Sequence, residues 1–320
     1  MTFTVLVTDR VSDEGLAPLL DDDRFRIETI DDSASDEFEE TLASAAGLIV
    51  RSATRVHAGM MSRASGLKVI GRAGVGVDNI DLVAASKRGI AVFNSPGGNT
   101  NAAAELTMAL MLALARRLPE ADRSIREGRW DRARLTGIEL KGRTLGLVGA
   151  GRIGGEVAQR CQGFGMEVLV YDPYLTEERA EQLGVRLVSL DHVVENADVI
   201  SCHVPLTDET RGLIDASLLG RMKDRVLVIN ASRGGVIDEA ALAKALHDGT
   251  VAGAALDVYE REPLSPESPL RNAPNLVLTP HLGASTEEAQ VGVATEVAGY
   301  MLAALGEGDV SAAINAAELG

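Results

Sequence analysis

Residues Leu145 to Ala158 read LGLVGAGRIGGEVA, and the next apolar run, MEVLVYD, ends in Asp172, about eighteen residues beyond Gly154. An apolar run, a glycine turn, a helical pattern and a second apolar run make one β-α-β unit. Two parallel strands joined by a crossover helix commit this part of the chain to a parallel sheet. Gly149 permits the tight turn, Gly151 lets the backbone approach a pyrophosphate, and Gly154 lets the helix pack closely on the strand. The N-terminus of the helix offers unpaired N–H groups and positive potential to phosphates. Asp172 is placed to accept hydrogen bonds from ribose hydroxyls. A carboxylate there repels a 2′-phosphate, so the expected cofactor is NAD rather than NADP.

The chain has 320 residues, which suits two domains of ordinary size. A net charge of −16 argues against nucleic acid or an anionic membrane as a partner, and requires any anion site to be basic locally. Cys161 and Cys202 form no CxxC and no framework, so they read as small buried hydrophobes in a reducing compartment. The start, MTFTVLVTDR, is unlike a signal peptide, and the most apolar helix candidate, Ala102 to Ala115, is too short for a bilayer. The expected location is the cytoplasm. His57, His192, His203 and His247 show no metal-ligand spacing, and no metal is expected.

From Phe3 to about Val92, apolar runs (FTVLV, FRIETI, GLIV, LKVIG, IAVF) alternate with amphipathic helix patterns. The break SPGGNTN precedes a long helix, about Asn99 to Arg117, apolar on more than one side and in need of cover from a second domain or subunit. After Asp172 come RLVSL, DVISCHV, RVLVIN, VAGAALDV and LVLTP, read as strands, with a helix from Glu239 capped by Asp238 and a final helix from about Ser285 to Leu305. The fold class is α/β, with doubly wound parallel sheets.

Ligands of open parallel sheets bind beyond the carboxyl ends of the strands. There the chain presents Arg233 after RVLVIN, Asp257 and Glu262 after VAGAALDV, and His281 after LVLTP. An imidazole can take the proton of an alcohol as hydride leaves its carbon. A carboxylate bonded to it sets the tautomer and favours the protonated form, and a guanidinium grips a substrate carboxylate with two parallel bonds. Arg233, Glu262 and His281 are therefore the expected catalytic trio for reversible hydride transfer on a 2-hydroxy acid.

GRAGVGVDNIDL (71–82), NSPGGNTNAAAEL (94–106), GRTLGLVGAGRIG (142–154), NASRGGVIDEAAL (230–242), AGAALDVYEREP (252–263) and PHLGAST (280–286) resemble the D-2-hydroxyacid dehydrogenase family, and within it the branch that acts on D-3-phosphoglycerate. The resemblance covers almost the whole chain. It implies two Rossmann-like domains with a cleft between them. A discontinuous, flavodoxin-like substrate domain would span 1–96 and 285–320, and an NAD-binding domain 97–284. It implies cofactor contacts from Arg152 and Ile153 at the phosphates. Val204, Ala231, Ser232, Arg233, Asp257, His281, Gly283 and Ala284 would line the nicotinamide side. Val75 and Val204 stand where relatives often carry threonine, so hydroxyl contacts are not expected from them. Gly74, Val75 and Gly76 would cradle the substrate carboxylate through backbone N–H groups. The family forms homo-oligomers, dimers or tetramers, through the long helix and the arm after it.

A phosphorylated substrate needs cations. Arg51 and Arg72 follow first-domain strands, and Arg132 resembles an arm residue that reaches a partner's site. The expected reaction is oxidation of D-3-phosphoglycerate, feeding serine synthesis. A glyoxylate or hydroxypyruvate reductase would keep the trio with fewer cations, and a dinucleotide-sensing corepressor would keep the fold without turnover. Longer relatives append serine-binding regulatory domains, and control by that route is not expected of this sequence.

Overall fold

The apolar runs become two parallel sheets in the computed structural model, which describes residues 2–319. Contacts divide the chain into one unit of residues 1–100 with 284–320, and a second of residues 101–283. The boundaries expected from the family resemblance are 96/97 and 284/285.

The first unit holds β1 (Phe3–Val7), β2 (Phe25–Thr29), β3 (Gly47–Val50), β4 (Val69–Arg72) and β5 (Ala91–Asn94), in the order β2-β1-β3-β4-β5. Every pairing is parallel. A parallel sheet covered on both faces needs strands apolar on both sides, and β3 is buried at all of its residues. One face packs against helices Asp13–Leu20 and Glu287–Glu307 through Leu16, Leu19, Val297 and Met301. The other packs against helices Asp36–Ser44 and Ala58–Arg63 through Phe38, Leu42, Met60 and Met61. Burying each such side chain contributes roughly 1.5–3 kcal/mol. The final helix lies tight on this unit: a Cβ at Gly15 would meet the Ala294 Cβ at 2.3 Å, and one at Gly71 the Val297 Cγ1 at 2.4 Å.

The second unit holds β6 (Thr144–Val148), β7 (Glu167–Tyr171), β8 (Arg186–Leu187), β9 (Val199–Cys202), β10 (Leu227–Asn230), β11 (Gly253–Leu256) and β12 (Leu276–Leu278). Their order is β12-β11-β10-β9-β6-β7-β8, again parallel throughout. The long helix spans Thr100–Ala115. Met108, Met111 and Leu114 join Leu145, Leu147 and Val157 in one core cluster, so this unit's own sheet covers them. The opposite face carries Val194, Leu242 and Leu246.

Two local expectations change. RLVSL is a strand only at Arg186–Leu187, because the Ser189 hydroxyl accepts the His192 N–H and starts helix Leu190–Asn196. The long helix stops at Ala115 and Arg117 turns left-handed, φ 53°, before a separate helix at Leu118–Arg126. Among the described residues no helix is long and apolar enough to cross a membrane, and no group of three or more His, Cys, Asp and Glu is placed to hold a metal ion.

Candidate active site

Because all strands of the second unit run parallel, the loops after β7, β6, β9, β10, β11 and β12 leave the same edge of the sheet. Gly149, Gly151, Val204, Arg233, Glu262 and His281 lie in these loops, and Gly154 in the first turn of the helix after β6.

The three fingerprint glycines meet different surroundings. Gly149 has φ 94°, and a Cβ there would lie 2.6 Å from the His203 carbonyl oxygen and 2.8 Å from the Val204 Cγ1. A Cβ on Gly154 would lie 2.3 Å from the Gly149 oxygen. A Cβ on Gly151 would meet nothing within 4 Å. The first and third glycines are thus demanded by the protein's own packing, while at Gly151 the protein leaves open space. Gly151 is also the N-cap of helix Arg152–Gly163 and makes no side-chain cap bond, so the first-turn N–H groups at Arg152, Ile153 and Gly154 keep their capacity for an anion. Asp172 accepts the Ala150 N–H at 2.9 Å through Oδ2 and the Tyr174 N–H at 2.9 Å through Oδ1. Each oxygen keeps a lone pair for a hydroxyl donor. These features fit a dinucleotide: a glycine turn, free helix N–H groups, and an anchored acceptor at the next strand end.

Along the same edge, at the loops after β11 and β12, His281 Nδ1 lies 2.7 Å from Glu262 Oε2. Glu262 Oε1 accepts the Tyr259 N–H at 3.1 Å. Burial raises the Glu262 carboxyl, but the His281 hydrogen bond and charge, the Tyr259 N–H and the Arg233 cation together outweigh it and hold the group below its usual value. An ionised carboxylate only accepts, so Nδ1 carries the proton and Nε2 keeps a lone pair available as a base. The Arg233 Nη1 donates to the Ser232 carbonyl at 2.7 Å.

Asn230, Gly234, Tyr259 and Asp257 hold this arrangement, and of these the sequence singles out only Asp257, for another role. Asn230, at the end of β10, accepts the Ser232 N–H at 3.0 Å and the Ser232 hydroxyl at 2.8 Å, and donates to the Arg233 carbonyl at 2.9 Å. A Cβ on Gly234 would lie 1.8 Å from the Tyr259 oxygen, so the loops after β10 and β11 touch backbone to backbone. The Tyr259 hydroxyl donates toward the Thr279 carbonyl at 2.8 Å, and burial pushes it up to about 12. His281 itself is left-handed, φ 55°, a conformation that costs a non-glycine residue roughly 1 kcal/mol and must be held. Asp257 holds it. This residue, expected at the cofactor, is fully buried, and its Oδ1 accepts the Thr279 hydroxyl at 2.6 Å and the Leu282 N–H at 2.7 Å. Its Oδ2 accepts the Gly283 N–H at 2.9 Å, and its carbonyl accepts the His281 N–H at 2.9 Å. The only sequence signal was a polar residue closing an apolar run, at Asn230 and at Asp257.

His203 follows β9 beneath the Gly149 turn, with Nε2 2.9 Å from the buried Ser201 hydroxyl. Burial holds its imidazole down at about 4. Burial also pushes the Cys161 and Cys202 thiols up to about 12, so neither is a thiolate nucleophile at neutral pH.

The expected substrate residues fall in both units. Arg51 follows β3, Arg72 ends β4, and Gly74, Val75 and Gly76 follow it in the first unit; Arg132 is exposed in a short 3-10 helix, Arg132–Leu135, of the second. In the expected cradle, the Gly74 N–H donates to the Arg72 carbonyl at 2.7 Å. That leaves Val75 and Gly76 as the backbone donors of this turn. A Cβ on Gly74 would lie 1.5 Å from Arg72 Nη1, so the guanidinium lies against this glycine. Ala231 and Ser232 follow β10, and Ala284 opens the returning segment of the first unit.

Residues 108–283 match the family described as D-isomer specific 2-hydroxyacid dehydrogenase, NAD binding domain. The chain is 50% identical over 294 residues to D-3-phosphoglycerate dehydrogenase of Archaeoglobus fulgidus, covering 92% of this chain and 56% of that protein. It therefore spans little more than half the length of that curated relative. Among solved structures it is similar to the TT0316 protein of Thermus thermophilus, with a TM-score of 0.87, 39% identity, and coverage of 95% of this chain and 97% of that one. It is also similar to an NAD-dependent formate dehydrogenase from Staphylococcus aureus in complex with NAD, with a TM-score of 0.84, 28% identity, and coverage of 96% and 97%.

Proposed function

The chain belongs to the D-isomer specific 2-hydroxyacid dehydrogenase family, and from that premise we propose that it oxidises D-3-phosphoglycerate to 3-phosphohydroxypyruvate with NAD. The observation that carries the reading is the 2.7 Å pair of His281 and Glu262 on a fingerprint sheet whose β10 loop bears Arg233. Bound NAD supplies the hydride acceptor. Gly151, the first-turn N–H groups of Arg152, Ile153 and Gly154, and Asp172 hold its phosphates and ribose. Val204, Ala231, Ser232, Gly283 and Ala284 line its nicotinamide end.

His281 Nε2 takes the proton of the substrate hydroxyl as the carbonyl forms, and Glu262 stabilises the imidazolium that results. The Arg233 guanidinium pairs with the substrate carboxylate and polarises the nascent carbonyl. Arg51, Arg72 and the Val75–Gly76 backbone are the groups proposed for the anionic ends of the substrate. The segment after the long helix exposes Leu118 (54%), Ile125 (56%) and Trp130 (83%), which supports a homo-oligomer through this face, with Arg132 offered to the neighbouring copy.

The test is a steady-state screen of D-3-phosphoglycerate, D-glycerate, D-lactate, glyoxylate and hydroxypyruvate with NAD(H) and NADP(H), with light scattering for the assembly. D-3-Phosphoglycerate with NAD is expected to give the highest kcat/KM. A preference for glyoxylate or hydroxypyruvate would move the chain to the reductase branch, and tight NADH binding without turnover would refute the enzymatic reading.

A further inference from the structure

The loop that carries Arg51 is fastened by side chains rather than by the sheet. Asp9, just beyond β1, has a left-handed backbone, φ 61°. Its Oδ2 accepts the Arg51 N–H at 2.9 Å and the Thr54 N–H at 3.0 Å, and its Oδ1 accepts the Thr54 hydroxyl at 2.7 Å. That hydroxyl spends its single proton on Asp9, so in its 2.6 Å contact with the buried Thr8 hydroxyl it is the acceptor. On the carbonyl side, the Asn79 Nδ2 donates to the Arg51 oxygen at 2.7 Å and to the Thr54 oxygen at 2.6 Å. Both ends of the turn Arg51–Thr54 are thereby bound, N–H and C=O alike, by one carboxylate and one amide. The Arg51 Nη1 donates to the Arg10 carbonyl at 3.4 Å, while the Asp9 oxygens accept from backbone and hydroxyl donors.

We propose that Asp9 is a positioning residue for Arg51: by clamping the turn after β3 it sets where the guanidinium emerges, and so sets selectivity for a phosphorylated over an unphosphorylated 2-hydroxy acid. The proposal rests on the phosphate-binding role given to Arg51 above. Charge-assisted bonds to a carboxylate are about twice as strong as neutral ones, which makes Asp9 the dominant member of the clamp. An acid near a phosphate-binding arginine ordinarily weakens it. Here both carboxylate oxygens bond backbone and hydroxyl donors, so Asp9 orders the loop while the Arg51 Nη1 bonds the Arg10 carbonyl.

The test uses the full chain. Asp9→Gly suits the left-handed backbone and removes the carboxylate, whereas Asp9→Asn keeps one acceptor oxygen. Both are compared with Arg51→Ala and with the double variant Asp9→Gly/Arg51→Ala, on D-3-phosphoglycerate and D-glycerate at saturating NAD. Asp9→Gly is expected to lower kcat/KM for the phosphorylated acid by ~10-fold or more, mainly through KM, with D-glycerate and the KM for NAD changed less than ~2-fold. Asp9→Asn is expected to fall between, and the double variant to be no worse than Arg51→Ala alone. Equal losses on both acids, unchanged selectivity, or additive losses in the double variant would overturn the proposal. Unchanged phosphoglycerate selectivity in Arg51→Ala would instead remove the phosphate role of Arg51, and this inference with it.

Discussion

Gly151→Ala separates a glycine kept for the fold from one kept for a ligand. The added Cβ meets no protein atom within 4 Å, and φ at this residue is −63°, outside the left-handed region. Alanine is a poorer N-cap than glycine by up to about 1 kcal/mol, and the loss of freedom in the unfolded chain returns about 0.4–1 kcal/mol. The net change in stability is therefore within about 1 kcal/mol, a shift in Tm below roughly 4 °C for a unit of this size. With a pyrophosphate seated at this turn, as proposed, the methyl group would take up part of its space. Overpacking of this kind costs about 1–3 kcal/mol, and about 2 kcal/mol is a ~30-fold weaker Kd. Gly154→Ala is the control: its Cβ would lie 2.3 Å from the Gly149 oxygen, so stability and binding should fall together. Thermal denaturation without ligand and fluorescence titration with NADH measure the two quantities. Wild-type NADH affinity in Gly151→Ala, or a loss of Tm matching that of Gly154→Ala, would refute the reasoning.

Asparagine tolerates the left-handed backbone at residue 281, φ 55°, so His281→Asn should fold normally, bind NADH nearly as the parent does, and lose about 10²–10⁴ in kcat; a kcat within about tenfold of the parent would exclude His281 as the base. The His203 imidazole is held at about 4 in the folded chain against an ordinary 6.5. The unfolded chain therefore takes up a proton as pH falls below 6.5 while the folded chain does not. The stabilisation from keeping this group neutral is complete above pH 6.5 and drains away as pH falls toward 4. Between about pH 7.5 and 5 the loss amounts to about 2 kcal/mol, and His203→Gln should remove about that much of the pH dependence of the unfolding free energy from urea titrations. Parallel pH dependence in the parent and the variant would show that His203 does not titrate in this way.

What depends on near neighbours in the chain could be read from the amino acids alone. Apolar runs bounded by turns marked the strands, and the spacing of Gly149, Gly151, Gly154 and Asp172 marked the dinucleotide turn. Asp238 marked the start of its helix, where its side chain accepts the Ala241 N–H. Strand ends also marked Arg233, Glu262 and His281, because a polar side chain after an apolar strand in a parallel sheet leaves at the ligand edge. Local pattern failed at RLVSL, where the Ser189 cap outweighed β propensity. How those residues are held was a matter for the folded molecule. Residues 230, 257 and 279 are distant in the chain, and the order β10-β11-β12 brings their loops side by side. Asn230 braces Arg233 from three residues away within one loop, whereas that order lets Asp257 fasten the His281 loop. The same holds for Asp9, 42 residues before the Arg51 N–H that it accepts. A hydrogen bond between loops of different strands has no period in the sequence, so its partners become visible only once the sheet has placed them.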